Sequence, residues 1–556
     1  TIDSTAFEIK VFSSDPTANQ GSQRVMRYEP NALSPNILGG YQGNVIDPGM
    51  VGGVIAGGGV TLSPNTITGT AGVSGGFATI GGGIGNTTSQ TFATIAGGKG
   101  NIASGVFATV GGGDTDTASG TQSTVGGGSQ NAASGIQATI GGGQDNKASG
   151  IHATVGGGKS NSASNVQATI GGGQNNSASG IESTVGGGIS NTANNTKSTV
   201  AGGSNNLASG TESTVGGGYT NTASSTKATV AGGSNNTATG TEATISGGYS
   251  NNASVTGATI SGGQYNAASS NPFATISGGA NDTATGTFSV IGGGRQNNAR
   301  GPYSSVSSGE LNWSTGAFSH IGGGQSDSAT DAFAVVGGGS KNLAGSSFAV
   351  IAGGQENKAT GVFGVIGGGY QNIASVAYAT VGGGDRNTVS FPMGTISGGR
   401  QNSITGVFGT IGGGQSNAVS GTWGAIGGGQ RNLASGSWSF IGGGDTNAAS
   451  GTWSVVGGGE ADTALGAWSA IGGGRLNKTI GAWSAIGGGL RNVADSLSAI
   501  PGGQSLKLGG NSFGFNADTT IPTTVTDLSA VSFRSSAYFG NADVLIGNID
   551  NNARDL

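Results

Sequence analysis

Two histidines, His152 and His320, are the only side chains in this sequence whose ordinary pKa lies near neutrality. They lie far apart, and cysteine is absent, so neither a thiolate metal site nor a disulfide can form. Glycine runs such as Gly81-Gly82-Gly83-Ile84-Gly85 look like phosphate loops, but none is followed by Lys-Ser/Thr and a helix. Calcium-binding β-roll repeats have a period of nine with acidic turns; the turn residue here is mostly neutral Asn. Asn-x-Ser/Thr sequons, such as those at Asn86, Asn281 and Asn477, are what a chain this rich in Asn, Ser and Thr contains by composition. No nucleophile–base pair or ligand cluster emerges. The expectation is a non-enzyme with no catalytic residue, cofactor or metal.

These residues are more informative by position than by chemistry. A β-branched anchor precedes a Gly cluster at Ile80, Ile95, Val110, Val125, Ile140 and Val155, and onward at steps of 15 to Ile260. One extra residue near Asn271–Pro272 moves the phase to Ile276, and the step resumes through Ile291 to Ile486. A shorter repeat ends at Ile500. Two irregular copies, anchored at Leu38 and Ile55, and an insert precede the array. The second and third residues after the anchor are nearly always Gly-Gly, with Ser308-Gly309 an exception. The sixth is Asn or Asp in every repeat from Asn86 to Asn492, the eighth is usually Ala, and the tenth is often Gly.

A helical repeat fits poorly, because each Gly costs a helix about 1 kcal/mol against Ala and helical units are longer. The spacing predicts an all-β solenoid with one 15-residue repeat per coil. Residues such as Gln137-Ala138-Thr139-Ile140 form one short strand, and a second strand runs toward the Gly at the tenth position. Gly-Gly turns the chain where φ must be positive. The Asn either takes a left-handed bend or stacks its amide on the next coil. Period-two alternation sends the anchor and the small residue two before it inward.

The third residue before the anchor forms the most informative column. It is Phe273, Phe288, Tyr303, Phe318, Phe333, Phe348, Phe363, Tyr378, Met393 and Phe408, then Trp423, Trp438, Trp453, Trp468 and Trp483. Earlier it alternates in charge through Glu182, Lys197, Glu212, Lys227 and Glu242. Stacking on adjacent rungs explains both runs, since opposite charges attract and rings pack at that spacing. Two readings are open for the aromatic run: ladder packing alone, or an assembly or partner face. An apolar stripe of this length left in water exceeds what monomers usually carry. The residue before the anchor is Thr from Thr79 to Thr275, a rank of the kind an ice-binding face uses, but its neighbouring rank is not Thr.

Composition excludes further classes. Of 556 residues 120 are Gly, only 8% are charged, and the net charge is −5. A nucleic-acid binder needs a basic footprint, and no apolar run is long enough for a membrane-spanning helix. A disordered chain would not hold register through the array.

Forms such as Ala138-Thr139-Ile140-Gly141-Gly142 and Ala148-Ser149-Gly150 resemble the head repeats of bacterial trimeric autotransporter adhesins, over roughly residues 36–503. The Gly-Gly-Gly-x-x-Asn form also looks like repeats of bacterial surface and tail-fibre-like proteins. The resemblance implies a left-handed β-roll, a homotrimer of parallel chains and an extracellular or cell-surface location. Two departures stand out: there are no stalk heptads, and the last residues, Asn551–Leu556, do not look like a membrane-barrel strand. The start at Thr1, without Met or signal peptide, reads as a mature or trimmed form.

The expected organisation is an N-terminal strand, cap or docking segment over 1–35, irregular coils over 36–79, regular coils over 80–503, and a β-rich cap or docking module over 504–556. Phe7, Ile9 and Val11 alternate like a pairing strand and are expected to add to a neighbouring chain's end. The leading expectation is a structural rod or fibre whose partner is itself, in trimers and end-to-end polymers. The alternative is an adhesin or tail-fibre-like head recognising glycan or protein, and a minor one is an ice-binding solenoid.

Overall fold

The computed structural model describes residues 7–11, 23–69, 76–516, 522–526 and 531–534. All regular structure among them is β, organised as a solenoid with no helix, so none is long and apolar enough to cross a membrane. The chain divides into two compact units, Thr1–Asn281 and Asp282–Leu556.

In both units each regular coil contributes two two-residue strands and one single-residue bridge. In the coil from Thr139 these are Thr139–Ile140, Gln144 and Lys147–Ala148. All three stack parallel and in register on the next coil, as Ile140↔Val155, Gln144↔Lys159 and Ala148↔Ala163. The backbone joins coils throughout: the amides of Thr139, Gln144 and Lys147 donate forward to Ala153, Gly158 and Asn161 at 2.8–2.9 Å, while those of Asp145 and His152 donate back to Ser129 and Ile136.

The strands are shorter than their sequence pattern predicts. Gln137 was expected inside a strand, yet it sits at a corner with φ 57°. Its amide turns back to the Thr121 carbonyl, 2.8 Å away. Each regular coil therefore has at least three positive-φ positions, here Gly143, Asp145 and His152. The second strand occupies the seventh and eighth positions after the anchor and stops before the tenth.

The core is thin. Per coil it consists of the anchor, the small residue two before it and the Ala at the eighth position, as Ile140, Ala138 and Ala148, all fully buried. Beside it runs a polar spine built by the Asn column. The left-handed bend falls on the residue before the Asn, and the Asn itself stacks. Asn357 donates from Nδ2 to the Gly353 carbonyl of its own turn at 3.1 Å and to the Gly369 carbonyl of the next coil at 2.9 Å. Its Oδ1 accepts the amide of Asn372 at 2.9 Å. Buried polar atoms are costly unless paired, and this arrangement pairs them by repetition. The sequon residues Asn86 and Asn477 are fully buried members of this spine, so their amides are committed.

At the ends the pairing changes. β1 (Phe7–Val11) pairs antiparallel with β2 (Gln23–Glu29), which pairs antiparallel with β3 (Asn36–Gly39). β3 then stacks parallel on Val54–Ile55. At the other end parallel stacking continues past Ile500, through Leu506–Leu508 onto Thr523–Val525 and Phe513–Asn516 onto Val531–Arg534.

Candidate functional site

The third column before the anchor projects outward from one corner of every coil. Its non-Gly members sit in the left-handed region, including Phe288 at φ 54° and Trp453 at φ 61°. A bulky side chain there costs roughly 1–2 kcal/mol. The corner makes up for this by stacking. In the unit from Asp282, seven rings stack from Phe288 through Tyr303, Phe318, Phe333, Phe348 and Phe363 to Tyr378, with centroids 4.8–5.2 Å apart. After Met393 six more follow, from Phe408 to Trp423 at 3.9 Å and on through Trp438, Trp453 and Trp468 to Trp483 at 4.8–5.1 Å. Phe273 belongs to the other unit and is likewise exposed. There, Phe77, Phe92 and Phe107 form a short stack of the same kind.

Stacking does not bury the rings. Trp453 keeps 41% of its surface exposed and Trp483 60%, while Phe408 is half-buried. Between Phe288 and Trp483 this column and the columns on either side contain no Lys, Arg, Asp or Glu. The residue before the anchor there is mostly Val, Ala or Thr, and Val290, Val365, Phe440 and Val455 are exposed.

Charge gathers on a different corner, at the fourth and fifth residues after the anchor. There Arg400 pairs with Asp385 at 3.2 Å, Arg431 with Asp445 at 2.8 Å and Arg475 with Glu460 at 3.3 Å, and Arg295 pairs with Glu310. The hydrogen bond from Arg431 holds the Asp445 carboxyl below its usual range. This second charged ladder was missed in the sequence because it is broken: Arg295/Glu310, Asp385/Arg400 and Glu460/Arg475 are opposite-sign neighbours in the fourth column but are separated by uncharged rungs, while Arg431 reaches Asp445 from the fifth column.

The predicted Glu182–Lys197–Glu212–Lys227–Glu242 run does occupy one exposed corner in register. Among the described residues, however, no ion pair joins its members. The left-handed corner points the side chains outward into water, where long charged chains gain little by closing on each other.

The remaining candidates are placed singly. His152 is exposed on the same corner column, and His320 Nδ1 lies 2.7 Å from Ser305 Oγ on the neighbouring rung. The Thr rank stands in register, as Thr109↔Thr124. Each two-residue strand presents one outward side chain, so that rank has no second Thr rank on its own strand. Phe7 is exposed and lies 6.5 Å from Tyr28; the side chains of Ile9 and Val11 lie outside the described residues. No groups of three His, Asp or Glu suited to a metal occur among the described residues. No family model and no curated protein matches this chain.

Proposed function

We propose that this protein is a non-enzymatic, extracellular structural protein that builds a rod or fibre by homo-oligomerisation, burying the Phe288–Trp483 edge against another copy of itself. The observation that carries this reading is charge segregation: one corner carries aromatic and other side chains with no Lys, Arg, Asp or Glu among them, while the ion pairs sit on another. At 150–250 Å² per aromatic side chain, two-fifths exposure over thirteen rings leaves on the order of 1,000 Å². That exceeds the roughly 800 Å² per partner of a standard interface. The left-handed coil and the number three for the oligomer come from the resemblance to trimeric adhesin heads.

The adhesin reading fits the edge less well. The rings stack nearly parallel, within about 10–15°, so the faces on which a sugar would lie are covered by the neighbouring ring. What remains outward is ring edge, which suits an apolar protein surface.

Placing Glu at Trp438 and Trp468 is expected to convert assemblies to single chains in sedimentation while leaving the β circular-dichroism spectrum unchanged. Unaltered assembly would refute the role of this edge. End-to-end joining is the second part of the proposal. β1 pairs with β2 of its own chain, and the alternating Phe7-Glu8-Ile9-Lys10-Val11 pattern suits addition of this strand to a neighbouring chain's end. Removing residues 1–12 should shorten polymers in electron micrographs without dissociating the lateral assembly; polymers of unchanged length would count against it.

A further inference from the structure

The spine contains four Asp in place of Asn, at positions 116, 282, 327 and 462. Three of them, Asp116, Asp327 and Asp462, show the consequence clearly. Each is fully buried. Each Oδ1 does what an Asn Oδ1 does, accepting the next rung's amide: Asn131 at 2.8 Å, Asn342 at 2.8 Å and Asn477 at 2.7 Å. Each Oδ2 occupies the place of the Asn Nδ2. An added Cβ on Gly324 would run into Asp327 Oδ2, as one on Gly339 would run into Asn342 Nδ2. In the Asn rungs that nitrogen donates to two Gly carbonyls, for Asn342 at 3.1 and 2.9 Å.

A carbonyl oxygen can only accept, and no donor reaches Oδ2 of these three residues. An ionised carboxylate would therefore set a charged oxygen against carbonyl oxygens, buried and without a counterion, which is costly. A proton on Oδ2 restores the missing donor and needs no additional space. We infer that Asp116, Asp327 and Asp462 are carried as neutral carboxylic acids, each donating from Oδ2 to a glycine carbonyl, and that these rungs loosen as rising pH removes the proton.

The surroundings agree. Beside Asp327 stand Gly324, Asn312 and Asn342, and beside Asp462 stand Gly459, Asn447 and Asn477, none of which titrates. At Asp116 the one charged neighbour is Asp114, whose like charge adds to the effect. Burial pushes all three carboxyls up, and hydrogen bonds from the following Asn only partly offset it. With the folded value above the unfolded one of about 3.9, the rungs' stability is fully present below about pH 4. It is lost as pH rises through the folded value.

The test is hydrogen exchange of the full chain, corrected for intrinsic rates and run in chelator and again with added sodium or calcium chloride. Protection of the segment around Asp327 is expected to fall by up to about tenfold per pH unit from about pH 4 up to the folded value and to level off above it, while the Asn357 and Asn372 rungs hold steady. Asp327→Asn and Asp462→Asn restore the column's usual residue, so each variant should fold and abolish the pH dependence of its own segment. A protonated-carboxyl C=O infrared band that persists above the ordinary carboxylate range should weaken in both variants. An unchanged pH dependence in both variants would overturn the inference. So would protection at high pH that appears only with added cation, because the carboxylate would then be holding an ion.

Discussion

Replacing Asn357 by Ala is expected to cost about 3–5 kcal/mol of local stability. The side chain satisfies the Gly353 and Gly369 carbonyls and the Asn372 amide, and it is fully buried. Each such bond contributes about 0.5–1.5 kcal/mol net, and each buried group left without a partner costs about 1–3 kcal/mol. Alanine removes these bonds, together with the one from Nδ2 to Asn342 Oδ1 at 3.1 Å, and leaves groups that water cannot easily reach. In a stacked array stability is the sum of each repeat and its contacts with its neighbours, so the loss should open coils on both sides. Hydrogen exchange across residues 343–372 reads it directly. A cost below about 1 kcal/mol would show that the spine is an ornament on a backbone ladder sufficient by itself.

The second large effect separates two adjacent glycines. Gly444 lies at φ 90°, and a Cβ there would collide with the Gly459 carbonyl oxygen of the next coil. Gly444→Ala combines a left-handed penalty of roughly 1–2 kcal/mol with overpacking of about 1–3 kcal/mol. Gly443 has nothing within 4 Å of its added Cβ and no left-handed φ. Gly443→Ala should therefore stay within about 0.5 kcal/mol of the parent. The chain already makes this distinction: Ser308 occupies the Gly443 column. Urea unfolding of both variants checks the pair, and equal costs would contradict the coil geometry.

Coil length was legible because each position of the repeat faces the same environment in every coil. The anchor, the Gly after the turn and the spine Asn recur for separate physical reasons: burial, positive φ and amide pairing. Strand limits were not legible. Phe, Trp, Glu and Lys are poor signals for a left-handed corner, so the column from Phe77 to Trp483 read as extended chain. Gly257 is the one member of that column with the residue type that corner favours. The aromatic run was visible as a column, but its meaning needed the neighbouring columns and the charged corner, which only the fold sets side by side. The Asp rungs share their sequence column with Asn. That Oδ2 would meet carbonyl oxygens followed only from the placement of the glycine turns. The break near Asn271–Pro272 shifts the phase within one coil of the division of the chain at Asn281.

The central claim is that the aromatic edge is an interface between copies of this chain. Multi-angle light scattering of the unmodified full chain at micromolar concentration tests it most directly. The account predicts particles at an integer multiple of the single-chain mass, three in the smallest species, with no free monomer. A monodisperse single chain at the same concentration would contradict it.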